Sequence, residues 1–179
     1  MVDLVVAGKE GASTLEAKVT SLIGGLHAWK TCHLEPYYLL QHGGAIDFGH
    51  LVRSLADGTL SDPHLARAIV LHLSTWLLLT RVNKDTYLPC SAASMVNDVL
   101  SICDEYSYHQ QAAAILPWTF AIRVALFTDL GNAQLSRGSD LCNRLESRYS
   151  VNMLSSIIGS LPGPHTRMQF QDTEEATNR

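Results

Sequence analysis

SDPHLARAIVLHLSTWLLLT, residues 61–80, carries both the punctuation and the periodicity of a single helix. Pro63 suits a first helical turn, where its missing N–H leaves nothing unsatisfied, and Ser61 or Asp62 can accept from the orphan amides beside it. Ala66, Val70, Leu73 and Leu77 recur at three- and four-residue spacing and so share one face. The spacing predicts a helix from Pro63 to about Thr80. The apolar run 68–80 is too short to cross a bilayer, and it contains His72.

Upstream of this helix, Asp57-Gly58 marks a boundary, and Leu51, Val52 and Leu55 lie on one side of a short helix over 46–57. Gly43-Gly44 reads as a loop, and Pro36 interrupts the segment before it. Ser13 and Glu16 have capping-box spacing, which predicts a helix opening there and running past Trp29. Leu15, Val19, Leu22, Ile23 and Leu26 form its apolar stripe, with Gly24-Gly25 as a weak point.

Downstream, residues 81–90 form a polar connector with room for an extended segment. Ser91 opens a helix whose stripe is Met95, Val96, Val99, Leu100, Cys103 and Tyr106. Pro117 begins a last long helix ending near Gly138. Residues 112–130 are long enough to span a membrane, but Pro117, Arg123 and Asp129 make this a buried core helix instead. A short helix over 139–149 and an extended piece over 150–158 follow. Long helices without an alternating strand pattern predict an all-α fold: an elongated antiparallel four-helix bundle with an extra N-terminal helix and little or no strand. The bundle is expected over 1–153 and a loosely structured tail over 154–179. Val96, Val99, Leu100, Ile122 and Leu126 join the four residues named above in the expected core.

The 179 residues fit one domain, and 17% charged residues beside 46% hydrophobic ones lean towards a chain whose surface is partly covered by partners. A net charge of −4 argues against a generic nucleic-acid binder with a basic patch, but leaves room for a few contacts per subunit repeated many times. Cys32, Cys90, Cys103 and Cys142 have no framework spacing, and no signal peptide precedes them, so reduced thiols in a cytosolic setting are expected. Cys32-His33, with His27 upstream, lacks the second cluster that zinc needs. There is no phosphate-cradling glycine loop and no nucleophile elbow. No cofactor, metal or catalytic group is expected, and the histidines read as solvated or hydrogen-bonded imidazoles.

Two charge features stand out. Residues 106–122 carry no charged side chain, and Arg123 follows at once. An arginine in an apolar helix needs an anion, so a structural ion pair and a phosphate contact are both open. Asp98, Asp104 and Glu105 lie on one helix and its C-terminal end, where acids oppose the macrodipole. They are either simply solvated or a carboxylate cluster whose repulsion across subunits acts as a disassembly switch.

Several short patterns, in order over roughly residues 20–153, resemble the coat proteins of rod-shaped plant RNA viruses, the tobacco mosaic virus group and its furovirus relatives. LARAIVLHLSTW (65–76) resembles that family's Gln-Gln-Ala-Arg helix, which runs to a Ser-x-x-Trp ending. MVNDVL (95–100) resembles the start of its next long helix, and AIRVA (121–125) matches its Ala-Ile-Arg-x-Ala. Arg137-Gly138, Asn143-Arg144 and Leu145-Glu146 before SRYSVNM follow at similar distances, and Trp29 in LHAWK resembles an early family tryptophan.

The resemblance implies a four-helix bundle, many copies of which stack helically around single-stranded genomic RNA in a virion assembled in the host cytoplasm, with no membrane partner. It places Arg123 and Arg67 beside the RNA, with Phe120, Ala121 and Val124 as the apolar face for bases, and Asp98 in inter-subunit carboxylate repulsion. The chain departs from the pattern at EYSYHQQAAAILPW (105–118), which has no lysine or arginine. Phosphates would then fall to fewer side chains or to the helix start at Pro117, and Tyr108, Tyr106 or Trp118 would stack on bases. A non-viral helical-bundle interaction protein, or a small enzyme with an unrecognised site, is the alternative.

Overall fold

The computed structural model describes residues 2–82, 88, 90–107, 115–128 and 131–149, and every regular element among them is helical. Helix α1 (Val2–Trp29) passes through a π-helical turn (Lys30–Leu34) into α2 (Glu35–His42) without a break. Because α1 already begins at Val2, Ser13 is an interior residue and not the expected cap. Gly24 and Gly25 do not break it either. Each costs about 1 kcal/mol relative to alanine, which a long helix docked on one side withstands. Pro36 also lies inside helix: its ring would strike the carbonyl four residues back in a straight α-helix, and the wider π turn just before it relieves that clash. Gly43, at φ 66°, ends α2 in the left-handed conformation and donates its N–H to the Leu39 carbonyl oxygen (3.0 Å).

Side-chain caps delimit the next elements. Asp47 Oδ1 accepts from the Gly49 and His50 amides (3.0 and 3.2 Å) to open α3 (Phe48–Ala56). Asp62 Oδ1 accepts from the His64 and Leu65 amides (3.1 and 3.0 Å) to open α4 (Pro63–Val82), so Asp62 rather than Ser61 is the cap. Asp62 also receives the Tyr37 hydroxyl (2.9 Å), which ties α2 to the start of α4. Ser91 Oγ accepts from the Ser94 amide (3.1 Å) and opens α5 (Ala92–Ser107), as its position predicts.

The bundle is completed by α6 (Leu116–Phe127) and α7 (Asn132–Tyr149). Helices α4, α5 and α6 pack against one another pairwise, α7 fills the groove between α5 and α6, and α3 lies on α5. Consecutive helices of the bundle run antiparallel: the end of α5 meets the start of α4 through the Tyr106 hydroxyl on the Leu60 carbonyl oxygen, and meets the start of α6 through the stacked rings of Tyr106 and Trp118. Helix α7 runs alongside α5 in the same direction, with Arg137 donating to Ser101 Oγ (3.0 Å) and the Tyr149 hydroxyl to the Ser107 carbonyl oxygen (2.9 Å). All of the expected core residues, Ala66, Val70, Leu73, Leu77, Val96, Val99, Leu100, Ile122 and Leu126, are buried. The expected extended stretch over 150–158 and the tail over 154–179 lie outside the described residues, as does most of the 81–90 connector.

One expected helix is two. Helix α6 stops at Phe127, where Thr128 turns to extended backbone (ψ 155°) and its hydroxyl donates back to the Val124 carbonyl oxygen (3.0 Å). The chain then re-enters helix at Asn132 and continues to Tyr149, so Gly138 is inside α7 and residues 139–149 are its second half. Gly138 is there for closeness. A Cβ at this position would overlap the Leu126 side chain and sit 3.7 Å from Leu100 Cδ2.

The N-terminal helix docks on α4 through an aromatic cluster around His72. This imidazole is 8% exposed, with Trp29 stacked on it at 5.0 Å and Phe48 edge-on at 5.7 Å. Its Nε2 accepts from Trp76 Nε1 (3.1 Å), so the ring proton belongs on Nδ1, which is buried without a partner. Along α1 the grip is partial: Val19 is buried and Ile23, Leu26 and Trp29 pack on the core, while Leu15 and Leu22 stay exposed.

Two outcomes follow from this packing. Gly138→Ala is expected to lower stability by about 1–3 kcal/mol through overpacking, and Leu126→Val in the same chain to recover part of it; chemical denaturation of the two variants checks this. Burial, with His27 and Lys30 nearby, pushes the His72 pKa down to about 4. The unfolded chain therefore binds the proton first. Stability is full above the ordinary histidine value near 6.5, falls as pH drops towards 4, and levels off below, a loss of about 3 kcal/mol. His72→Phe should remove this slope while lowering stability at neutral pH by orphaning Trp76 Nε1, which urea titrations at stepped pH would read.

Candidate nucleic-acid interface

Helix α6 is enclosed by α4, α5 and α7, and Trp118, Thr119, Ala121, Ile122, Val124, Ala125 and Leu126 are all buried. Besides half-buried Pro117 in the first turn, what escapes burial is a narrow line: Leu116 (59% exposed), Phe120 (42%), Arg123 and half-buried Phe127. Their spacing, four, three and four residues, keeps them on one side of the helix. The Arg123 guanidinium lies 5.5 Å from the centre of the Phe127 ring, a cation–π distance. No carboxylate pairs with Arg123 among the described residues, so the structural ion pair left open by the sequence is not formed there. The result is an apolar, aromatic ridge with one positive charge that no acid compensates among the described residues. Such a surface can stack a base and hold a phosphate.

The residues singled out from sequence divide. Arg123 and Phe120 stand together on the ridge. Ala121 and Val124 are buried in the bundle and present no face to a base, because they point into the contacts with the neighbouring helices. Tyr106 and Trp118 stack on each other in the core (6.4 Å, 5°) and are likewise withdrawn. Tyr108 lies outside the described residues. Arg67 is half-buried near the start of α4, with Nη2 3.2 Å from His64 Nδ1. Leu116 and Phe127 complete the ridge and were missed, although counting helical turns from Arg123 finds both.

The three acids of α5 do not form one cluster. Asp104 is paired with Arg144 of α7 (2.6 Å). Asp98 is half-buried on the wall of a cavity between α3, α4 and α5; burial raises its pKa, and Arg53 opposes that shift. Glu105 is exposed, with Oε1 packed where a Cβ on Gly58 would go (2.9 Å). Of the two acids without an ion pair among the described residues, Asp98 is drawn into the cavity and Glu105 is the exposed one, open to a neighbouring molecule. Among the described residues no group of histidine, cysteine and acid side chains could hold a metal ion, and no helix is long and apolar enough to cross a membrane.

Burial sets the expected outcome of substitution on α6. Phe120→Gln should change the stability of the unassembled chain by less than about 1 kcal/mol, whereas Ala121→Asp, which forces a charge into the core, should unfold it. Thermal melting followed by circular dichroism separates the two. Compared with protein-family models, with curated proteins and with solved structures, the chain matches none, so any functional reading rests on the residues themselves.

Proposed function

We propose that this chain is the coat protein of a rod-shaped RNA virus, which polymerises helically around single-stranded RNA in the host cytoplasm and resides in the virion. The observation that carries the reading is the α6 ridge, where Arg123 stands exposed between Phe120 and Phe127 with no carboxylate partner among the described residues. This arginine belongs to AIRVA, the stretch that resembles the RNA-side helix of those coat proteins. The antiparallel bundle is of the kind that the resemblance implies, and the order of the short matching patterns along the chain supports the same family.

In this reading Arg123 neutralises a phosphate and Phe120 offers a face to a base, so binding tolerates sequence. Arg67 is a secondary cation. The pH response of assembly falls to Glu105, since Asp104 has Arg144 and Asp98 is drawn into the cavity. The alternative, a bundle that docks another protein, draws on the same exposed Leu116 and Phe120.

Electron microscopy of the purified chain with single-stranded RNA tests the proposal: rods are expected, and discrete monomers or dimers under all salt and pH conditions would sink it. For single strands, log affinity falls with log salt by about 0.7 per neutralised phosphate, so the slope per subunit should be shallow. Arg123→Ala should flatten it further and leave rods empty or unstable, while Arg148→Ala, at the end of α7, should not. Normal melting of unassembled Arg123→Ala, with RNA packaging unchanged, would remove Arg123 from the interface.

A further inference from the structure

The cavity between α3, α4 and α5 has a volume of about 350 Å³ and shares no residue with the α6 ridge. Its wall is apolar over Val52, Leu73, Met95 and Trp76, and carries two opposite charges, Asp98 and Arg53. Those charges do not meet. No ion pair within 4.0 Å joins them, and neither side chain has a hydrogen-bond partner among the described residues. Asp98 is half-buried, and Arg53 is exposed on α3.

The cavity is also lined by His72, Cys90 and Ser94, none of which hydrogen-bonds Asp98, and a carboxylate partly withdrawn from water is stabilised by any donor that can reach it. An arginine without an acid is similarly open to a carboxylate. A ligand bearing one charge answers only half of this arrangement and leaves the other group unpaired. A ligand bearing both charges on one carbon, with an apolar chain attached, answers both charges. We propose that this cavity binds a small zwitterion, an α-amino acid with an unbranched apolar side chain, its ammonium on Asp98, its carboxylate on Arg53 and its side chain against Leu73 and Met95. The volume of about 350 Å³ suits one such molecule. Burial raises the Asp98 pKa, and an ammonium beside it would pull it back down.

Isothermal titration of the full chain at neutral pH, with norleucine, pentylamine and hexanoate as probes, tests this. Norleucine is expected to bind at least about tenfold more tightly than either single-charge fragment, the difference one charged hydrogen-bonded pairing makes. Asp98→Asn and Arg53→Gln should each weaken norleucine by about tenfold or more. Both positions are at least partly solvent-exposed, so circular dichroism and melting should show folded variants, and a conservative Arg53→Lys should restore part of the affinity. Absence of norleucine binding at millimolar concentration, affinity no better than that of the fragments, or folded variants that bind as the parent does would each overturn the proposal.

Discussion

Helix α7 approaches α6 at Gly138, where Leu126 and Leu100 occupy the space a side chain would take. Much else depends on that contact. It closes the third side of α6, the other two being closed by α4 and α5. A helix gripped in this way must be apolar nearly all round, and that is what residues 116–127 are. It also follows that α6 can show very little of itself. The ridge from Leu116 to Phe127 is the remainder after three neighbours have taken their share, and its composition is therefore informative. The arginine left there is exposed and has no carboxylate partner among the described residues.

The same enclosure explains what could and could not be read from the residues. Caps at Asp62 and Ser91 and the buried stripes of α4 and α5 were legible because the signals are local: an acceptor before a helix, apolar residues at helical spacing. Ser13, Pro36 and Gly138 were misread because each also sends a local signal, a start or a stop, that the surroundings overrule. A preceding π turn admits Pro36, and a leucine from another helix accounts for Gly138. In α6 the trouble was different. An apolar helix with no polar face has no moment to say which side is out, so Ala121 and Val124 were placed on the wrong one. Arg123 was the one reliable marker there.

The N-terminal helix depends on a second constraint. Its end is fastened to α4 by stacking Trp29 on a histidine that must stay neutral, with an N–H for which the core supplies no acceptor. A phenylalanine would pack as well and carry no such burden, but it could not accept the Trp76 proton. The cluster thus exchanges one orphan for another, and the histidine version makes the docking of α1 sensitive to acid. The exposed Leu15 and Leu22 further along show how short the fastened stretch is.

On the coat-protein reading, the small size of the ridge has a consequence for how RNA is held. From Leu116 to Phe127, twelve residues, the helix rises about 16 Å, room for only a few nucleotides. One arginine per subunit, on a chain of net charge −4, cannot hold RNA tightly by itself. Affinity would have to come from many ridges aligned along one strand, each contributing little while the linkage multiplies the whole. Polymerisation and RNA binding then become a single equilibrium. A lean charge count is no handicap to such a protein, because repulsion between strand and isolated subunit also keeps unassembled chains from scattering over the RNA before the rod can grow.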